Sequence, residues 1–331
     1  MIVISSIEDD VSTNKVIDWL AYQYETPYQR VNGLEWFDKK SVSTLRFNNE
    51  LEISAIQYKD MAISLDKVTA VWFRKDRNAN FSEDVMQGEE VNKQVNNHLK
   101  EERFYSKEGL YRMLINQSDQ ALGHRIITEP QKIDVLLEAK KVGIDIPDTL
   151  VTNCKKDLLD FYKEHNGAIT KPIKESRIIS NENVNVGMYV SSISEEELSH
   201  ISKGFFVSLF QERLDIVFDI RIFYLDGQFY PIAIFTPKKD ISRVDVRAVA
   251  TSDIEFRETR YQLTEALEEQ LTQLMDALDL VSGSIDLIHT RDGRTVFLEV
   301  NPWGQYGNVS RSGNYFLNEK VADYLVTGSK R

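Results

Sequence analysis

The stretch GSIDLIHTRDGRTVFLEVNP, residues 283–302, carries the strongest fold signal in the chain. Two runs rich in aliphatic and β-branched residues flank the dipeptide Asp292-Gly293, which is typical of a tight β-hairpin turn. In a two-residue turn Arg291 faces Arg294, and the register of the strands then follows by counting. The sequence therefore predicts an antiparallel hairpin whose cross-strand pairs can be named.

That register places two acidic residues face to face. Asp286 on the first strand would lie directly opposite Glu299 on the second, with Cβ atoms about 4.5–5.5 Å apart. The two-residue period of a strand puts Asn301 on the same face as Glu299. The other face, which we expect to be the core face, holds three apolar residues: Val296, Leu298 and Val300.

Two carboxylates and an amide oxygen on one face predict a site for a hard divalent cation. Facing carboxylates repel each other unless a cation or a shared proton relieves the repulsion. Mg²⁺ prefers oxygen ligands and keeps positions for water and phosphate, so Asp286, Glu299 and Asn301 suit it better than zinc. The five histidines form no ligand cluster in the sequence, at 98, 124, 165, 200 and 289. The alternative interpretation is an acidic surface ladder in a slipped register.

Composition narrows the class of protein. A chain of 331 residues with 42% hydrophobic content can bury a core in each of two or three lobes. The net charge of −12 argues against a nucleic-acid partner, because phosphates would be repelled on average. The single cysteine, Cys154, cannot form an intramolecular disulfide and favours a reducing compartment. The N-terminus lacks a signal-peptide pattern and no apolar run approaches membrane-spanning length, so we expect a cytoplasmic protein without a membrane partner.

The order of strand and helix patterns predicts three lobes. At the N-terminus, Ile2 to Ile4 and Val68 to Arg74 are predicted strands, and Val11 to Tyr24 is a predicted helix, which indicates an α/β lobe. Near the C-terminus, two long strand patterns flank the turn Asp226-Gly227 and predict a second hairpin. We place an N-terminal α/β lobe with a helical segment over 1–125, a central lobe over 126–205, and a metal-carrying C-terminal lobe over 206–331.

Three shorter segments allow separate predictions. The polar stretch KESRIISNENVNVG, residues 174–187, shows no clear period and is predicted to be a mobile flap. Ser194 and Glu197 match a capping box at the start of a helix. A basic cluster is either part of a solvated loop or a binding site for phosphate or carboxylate oxygens. Its members are Lys238, Lys239, Arg243 and Arg247.

From about Glu129 to its end, the chain resembles the ATP-grasp ligases. The resemblance lies in the order of its polar residues: a lysine, a second lysine in ITKP, the segment QERL, an acid in FDIR, and the set Asp, Glu-x-Asn-Pro. It implies an α/β (α+β) three-lobe ATP-grasp fold, preceded by an N-terminal pre-ATP-grasp lobe. It also implies an Mg-ATP-dependent carboxylate ligase that releases ADP.

The resemblance implies a role for each matching residue. Nucleotide contacts would come from Lys132, Lys171, Gln211, Glu212, Arg213, Leu214 and Asp219. The metal ligands would be Asp286, Glu299 and Asn301, with two Mg²⁺ ions bridging the phosphates. Arg221 and Arg247 resemble the basic residues that the family places near the γ-phosphate and the acyl phosphate. Phosphoryl transfer depends mainly on positioning and positive charge, which suits such a set.

Within the superfamily, the chain is most similar to the graspetide synthetases, the macrocyclases of microviridin-like peptides. The motifs that carry this resemblance are DVSTNKVIDWL, YQRVNG, AVWFRK, IPDTLVTN, VDVR and LEVNPWGQYG. It implies that side-chain carboxylates of a ribosomally made precursor peptide, with a leader and an acidic core, are joined to its Ser, Thr or Lys side chains. It also suggests a homodimer.

Two other functions stay open from the sequence. The first is an ATP-grasp ligase that adds a free amino acid to a protein terminus or a small molecule. The second is a non-catalytic nucleotide-binding protein, which the intact acidic set disfavours because a degenerate site has no reason to keep repelling carboxylates.

Overall fold

The computed structural model describes these residues: 1–32, 56–58, 61–75, 89–123, 131–174, 178–180, 185–187, 190–236 and 256–328. The basic cluster, the predicted lobe limit at 125/126 and parts of the predicted flap lie outside the described residues. The roles predicted for Arg247 and its VDVR motif therefore stay predictions.

The N-terminal lobe is built on a four-stranded parallel sheet in the order β2-β1-β5-β6. Its elements are β1 Ile2–Ser6, α1 Val11–Tyr22, β2 Tyr28–Asn32, β3 Ile56–Tyr58, β4 Met61–Ile63, β5 Ala70–Phe73, α2 Glu89–Gln117 and β6 Gln120–Leu122. β1 and β5 are buried along their whole length, as expected for apolar strands covered on both faces. The predicted α/β lobe is confirmed.

The central lobe is built on a four-stranded antiparallel sheet in the order β11-β8-β12-β7. Its elements, with the helix that precedes it, are α3 Lys132–Lys141, β7 Thr149–Cys154, α4 Lys155–Glu164, β8 Ala168–Lys171, β9 Ile178–Ser180, β10 Asn185–Gly187, β11 Ser191–Ile193, α5 Glu195–His200 and β12 Gly204–Glu212. The predicted capping box is confirmed, because Ser194 and Glu197 exchange side-chain to backbone hydrogen bonds. Part of the predicted flap pairs as the hairpin β9–β10.

The C-terminal lobe is built on a five-stranded antiparallel sheet in the order β15-β14-β13-β16-β17. Its elements are β13 Ile216–Leu225, β14 Gln228–Phe235, β15 Arg257–Arg260, α6 Glu265–Ala277, β16 Ser282–Thr290, β17 Thr295–Asn301, α7 Gly307–Gly313 and α8 Leu317–Thr327. Leu271, Leu274 and Met275 of α6 are fully buried. They pack against the sheet face opposite the site described below.

The lobes share apolar cores. One cluster joins Ile4 and Trp72 of the N-terminal sheet to Phe223 and to Val321 of α8. A second cluster places α3 on the C-terminal sheet, and β12 stays in the central sheet until Glu212. Within the ranges that the structure describes, no helix is long and apolar enough to cross a membrane.

Candidate active site

The turn of the β16–β17 hairpin contains three residues. The Thr290 amide donates to the Arg294 carbonyl at 3.0 Å, and the Gly293 amide donates to the Thr290 carbonyl at 3.1 Å. Gly293 has φ +90, the left-handed conformation that such a loop requires of its last residue. The prediction that Arg291 faces Arg294 is wrong, because Asp292-Gly293 fits a three-residue loop as well as a two-residue one.

A β-bulge restores the predicted register further along the strands. Leu287 pairs with Phe297, whereas the next pair is Asp286 with Glu299, so Leu298 is the extra residue. This shift of one residue cancels the error at the turn. Asp286 does lie directly opposite Glu299, which confirms the cross-strand pair on which the metal prediction rests.

The same bulge changes which residues of β17 face the core. Phe297 and Val300 contact the apolar cluster beneath the sheet. Leu298 is only half-buried, and Val296 is fully buried but lies outside that cluster. The predicted core face is therefore wrong at Leu298 and holds at Val300, whereas Val296 is buried outside that cluster, because strict alternation fails at a bulge.

Three charged residues form a row across neighbouring strands. Arg221 on β13 pairs with Asp286 on β16, which in turn pairs with Glu299 on β17. The Arg221 Nη1 lies 3.1 Å from both Asp286 carboxylate oxygens. All three side chains are about a quarter to a third exposed, so solvent and a ligand can reach them. Arg221 and the two carboxylates predicted to bind the metal are thus brought together.

Lys132 reaches this row from the start of α3. Its Nζ lies 3.9 Å from Glu299 Oε2 and donates to the Pro172 carbonyl at 3.3 Å. The acidic pair therefore has a cation on each side, Lys132 and Arg221, and these relieve its repulsion even without a metal. Lys132 also connects the metal-site strand to the end of β8, where Lys171 lies.

The donor set fits Mg²⁺. No three His, Cys, Asp or Glu side chains within the described ranges converge on one point, so the chain would supply two carboxylates and the Asn301 amide. Mg²⁺ is usually held this way, with water and phosphate oxygens completing the octahedron. One buried polar atom at the site, Arg221 Nε, lacks a hydrogen-bond partner among the described residues. Such orphaned groups are expected where a ligand completes the site.

Asn301 ends β17 and begins a tight turn. It pairs with Ser284, two residues along the strands from the Asp286–Glu299 pair. Its side-chain oxygen accepts a hydrogen bond from the Trp303 amide at 2.9 Å, and its carbonyl accepts one from the Gly304 amide at 3.0 Å. The turn therefore orients the third predicted metal ligand.

The predicted nucleotide segment lies where β12 leaves the central sheet. Gln211 is buried, and its Nε2 donates to Thr149 Oγ1 at 2.9 Å. Lys171 pairs with Leu209 of β12 and makes a further interaction within the protein. Arg213 is exposed. Lys171 and Gln211 thus lie on the two neighbouring inner strands of the central sheet, β8 and β12.

The carboxylate of Glu212 is already engaged. Arg294 donates to its two oxygens at 3.0 and 3.2 Å, and the Asp148 amide donates to it at 3.1 Å. Arg294 also binds Asp145 with two hydrogen bonds of 2.8 and 3.1 Å. The hydrogen bonds to Asp145 and then to Glu212 raise the pKa of Arg294. The sequence does not indicate these roles of Arg294 and Asp145, because nothing in it brings residues 145, 212 and 294 together.

Asp219 and Leu214 complete the predicted nucleotide set. Asp219 lies two residues before Arg221 on β13, hence on the same sheet face, and pairs with Ile288. Asp219 makes a further interaction within the protein. Leu214 is half-buried between β12 and β13. The structure thus places Asp219 two residues from Arg221, on the sheet face that carries the row of charged residues.

A second missed group lies in the N-terminal lobe. Arg74, just after β5, donates to the Trp303 carbonyl at 2.7 Å and to Gln305 Oε1 at 3.1 Å. Its guanidinium lies 3.5 Å from the buried Asp10 carboxylate. Burial alone would raise the pKa of Asp10, but the charge of Arg74 and hydrogen bonds from Thr13 and Lys75 lower it to about 2. The sequence showed Arg74 only as part of the motif AVWFRK.

No protein-family model and no curated protein sequence matches the chain. Several solved structures do match the chain. The macrocyclase MdnC from Microcystis aeruginosa, bound with precursor peptide MdnA, is 24% identical, with 99% and 100% of the two chains covered and a TM-score of 0.80. A RiPP-associated ATP-grasp ligase from Chryseobacterium gregarium, in complex with ADP and a leader and core peptide, is 19% identical, with 100% and 97% covered and a TM-score of 0.84.

The ATP-grasp ligase PsnB, complexed with a precursor variant, Mg and ADP, is 18% identical, with 99% and 98% covered and a TM-score of 0.75. These similarities extend over the whole length of the chain and include the N-terminal lobe. The predicted fold is confirmed: the protein has the ATP-grasp fold, preceded by an N-terminal α/β lobe.

Proposed function

We propose that the protein is an ATP-dependent peptide macrocyclase. It activates Asp or Glu side chains of a ribosomally made precursor peptide as acyl phosphates. It then joins them to Ser or Thr hydroxyls as esters or to Lys amines as amides. The observation that supports this most is the Arg221–Asp286–Glu299 row with Lys132 beside it, in a chain that shares its whole fold with precursor-peptide ligases.

The metal part of the proposal rests on the donor set. Asp286, Glu299 and Asn301 would hold Mg²⁺, and two ions are expected where two phosphates are bridged. Bound Mg²⁺ would neutralise charge on the transferring phosphoryl group and orient it. Arg221 and Lys132 place positive charge next to these carboxylates.

The cations of the site have separate roles in the proposal. Lys132, whose Nζ reaches the Pro172 carbonyl, and Lys171, the residue before Pro172, would bind phosphate oxygens of ATP. Arg221 and Arg247 would hold the acyl phosphate, since a guanidinium fork matches its oxygens. The position of Arg247 rests on the family resemblance alone. A local set of cations is also what an acidic protein needs in order to bind an acidic peptide.

The nucleotide itself would lie along residues 211–214, with Asp219 at the ribose. Because Arg294 and the Asp148 amide occupy the Glu212 carboxylate, we assign the adenine contacts in this segment to backbone groups instead of that side chain. Glu212 then acts by fixing the segment. This refines the role that the family resemblance implies for it.

The rest of the proposal concerns the setting of the reaction. The partner is a precursor peptide with a leader and an acidic core, whose reacting groups gain proximity because both belong to one bound peptide. We propose that the reaction takes place in the cytoplasm, where ATP is supplied. A homodimer, and the absence of nucleic-acid and membrane partners, stay predictions.

Mass spectrometry of the peptide product tests the function. The substrate is the acidic peptide, containing Ser, Thr or Lys, that we expect to be encoded beside the gene. With Mg-ATP, each ring should remove one water from the peptide and release one ADP and one phosphate. Addition of free amino acids should change nothing.

A mass increase by one amino-acid residue would instead support the ligase that attaches a free amino acid. Absence of both ADP and a peptide mass change would support the non-catalytic alternative. A Lys174→Ala variant is the matched control for Lys171→Ala. We expect a much larger rise in the ATP KM at position 171 than at position 174, because one charge-assisted phosphate contact is worth roughly 1.5–3 kcal/mol.

A further inference from the structure

The turn after Asn301 couples its side chain to the backbone. The Trp303 amide donates to Asn301 Oδ1 at 2.9 Å, and the Gly304 amide donates to the Asn301 carbonyl at 3.0 Å. A shift of the Trp303 backbone must therefore move the amide oxygen that the proposed metal site uses.

Arg74 of the N-terminal lobe holds this turn from outside. Its Nη1 donates to the Trp303 carbonyl at 2.7 Å and to the Gly304 carbonyl at 3.3 Å. Its Nη2 donates to Gln305 Oε1 at 3.1 Å, and the guanidinium lies 5.4 Å from the centre of the Tyr306 ring. Arg74 is only 4% exposed, so water does not compete for these contacts.

The arginine is itself fixed in place. Its backbone amide donates to the Ser5 carbonyl at the end of the N-terminal sheet at 2.9 Å. The Asp10 carboxylate lies 3.5 Å from its Nε and is held by the Thr13 amide at 2.9 Å and by Lys75 Nζ at 3.0 Å. A guanidinium with both ends anchored acts as a rigid strut between the lobes.

On its inner side the turn contacts β16. A Cβ at Gly304 would lie 2.2 Å from both the Cβ and the Oγ of Ser284, which is fully buried. Ser284 lies two residues before Asp286 and therefore on the same face of β16. The turn is thus trapped between Arg74 on one side and the strand of a predicted metal ligand on the other.

We propose that Arg74 is a positioning residue for the metal site. It sets the Asn301 side chain through the backbone of Trp303 and Gly304, so that the N-terminal lobe contributes to metal affinity. This inference rests on the proposed metal-dependent function. It adds a residue from outside the metal-binding lobe, acting through backbone carbonyls.

Mn²⁺ binding to the full chain in the presence of ADP, measured by electron paramagnetic resonance, tests the positioning role of Arg74 without depending on catalytic turnover. Arg74→Lys keeps a charge beside Asp10 but cannot bridge two carbonyls and Gln305 at once. We expect the Mn²⁺ dissociation constant to rise about tenfold, the range found for groups that orient metal ligands. Thermal unfolding of the same samples should show a cooperative transition, which establishes that the variant is folded.

Arg30→Lys is the matched control. Arg30 lies in the same lobe and also donates to backbone carbonyls, those of Ile7 and Glu8, and its side-chain contacts with the described part of the chain are to residues 7–32. Its Mn²⁺ affinity should equal that of the wild type. Equal affinities for wild type and Arg74→Lys would overturn the inference alone, whereas a wild type that binds no Mn²⁺ would overturn the proposed function with it.

A pair of variants tests the turn independently of Arg74. Gly304→Ala should weaken Mn²⁺ binding, because the new Cβ pushes the turn away from Ser284. Adding Ser284→Gly removes both contacting atoms and should restore most of the affinity. Failure of the second change to restore binding, or no loss from the first, would contradict a metal site whose affinity depends on the position of the turn.

Discussion

Two arginines tie the C-terminal lobe to its neighbours in different ways. The link to the N-terminal lobe is buried: the Arg74 and Asp10 side chains are 5% and 1% exposed. The link to the central lobe lies near the surface: the Arg294 side chain is 33% exposed and its partner Asp145 is 43% exposed. The same kind of ion pair therefore operates in two different dielectric environments.

This difference indicates how firmly each lobe is held. The buried link lies beside an apolar core that both lobes share, including Trp72 and Tyr306. The surface link spans the short connection between β12 and β13, and the apolar cluster inside the central sheet is a separate one. We infer that the N-terminal and C-terminal lobes form one base, to which the central sheet is attached by weaker, salt-sensitive contacts.

The largest effect should come from the buried link. Asp10→Asn removes the charge that balances Arg74 and weakens the cap of α1. Loss of one partner of a buried ion pair leaves the other charge uncompensated, so the free energy of unfolding should fall by about 3 kcal/mol. Urea unfolding of wild type and variant at neutral pH gives the comparison.

The control is the pH dependence of the difference in unfolding free energy between the wild type and Asp10→Asn. The pKa of Asp10 is lowered in the folded protein from 3.8 to about 2, so its charge stabilises the fold at any pH above 3.8. This contribution, about 2 kcal/mol, is lost as the pH falls from 3.8 through 2. The gap between wild type and Asp10→Asn should narrow by that amount over the same range. A gap that stays constant would show that the Asp10 charge does not support the link.

A smaller effect should come from the surface link, where the hairpin loop offers a matched pair. Arg294→Ala removes contacts to Glu212 and Asp145. Arg291→Ala removes a single contact to Asp215 between side chains that are 59% and 67% exposed. The free energy of unfolding should fall by about 1 kcal/mol for the first and less than about 0.5 kcal/mol for the second, and high salt should reduce both effects.

The two variants should also differ in ATP binding. Arg294 fixes the Glu212 segment along which we propose that the nucleotide lies, whereas Arg291 does not contact that segment in the described part of the chain. The KM for ATP should therefore rise several-fold in Arg294→Ala and stay unchanged in Arg291→Ala. Equal KM values in the two variants would contradict the role given to Glu212.

Local signals predicted the strands of the site better than they predicted the loops. The dipeptide Asp226-Gly227 forms the two-residue turn expected of it, with both residues at positive φ and Leu225 paired to Gln228. Asp292-Gly293 instead belongs to a three-residue loop. There the Thr290 hydroxyl accepts a hydrogen bond from the Arg294 amide at 3.0 Å, across the three-residue loop. The same two letters thus give different loops, because contacts around the turn decide between them.

The Asp286–Glu299 pair was predicted correctly although the turn and the bulge were both missed. The turn shifts the strand register by one residue and the bulge shifts it back by one. The pair at the site is therefore predicted correctly although the turn and the bulge are not. The core face had no such cancellation and was wrong at Leu298. Predictions from period and turn type are therefore most secure where an independent chemical pattern, here two acids and an amide, marks the same residues.

The residues that the sequence did not indicate are those that act across lobes. Arg74 and Arg294 look like ordinary surface arginines in the sequence, and their partners lie 64 and 82 residues away or farther, counting from Asp10 and Glu212 respectively. No periodicity links such positions, since only the packing of whole lobes brings them together. The proposed metal ligands, by contrast, lie within one hairpin, so local sequence patterns suffice to predict them.

The measurement that tests the account most directly is peptide ring formation by Glu299→Gln under saturating Mg-ATP. An amide at this position supplies only a neutral oxygen, so turnover should fall roughly a hundredfold or more, while the unfolding transition stays close to that of the wild type because the Lys132–Glu299 ion pair that is lost is partly exposed. Glu269→Gln, at an exposed position on α6, is the matched control and should keep full activity. Turnover of Glu299→Gln at the wild-type rate would contradict the metal site and the function built on it.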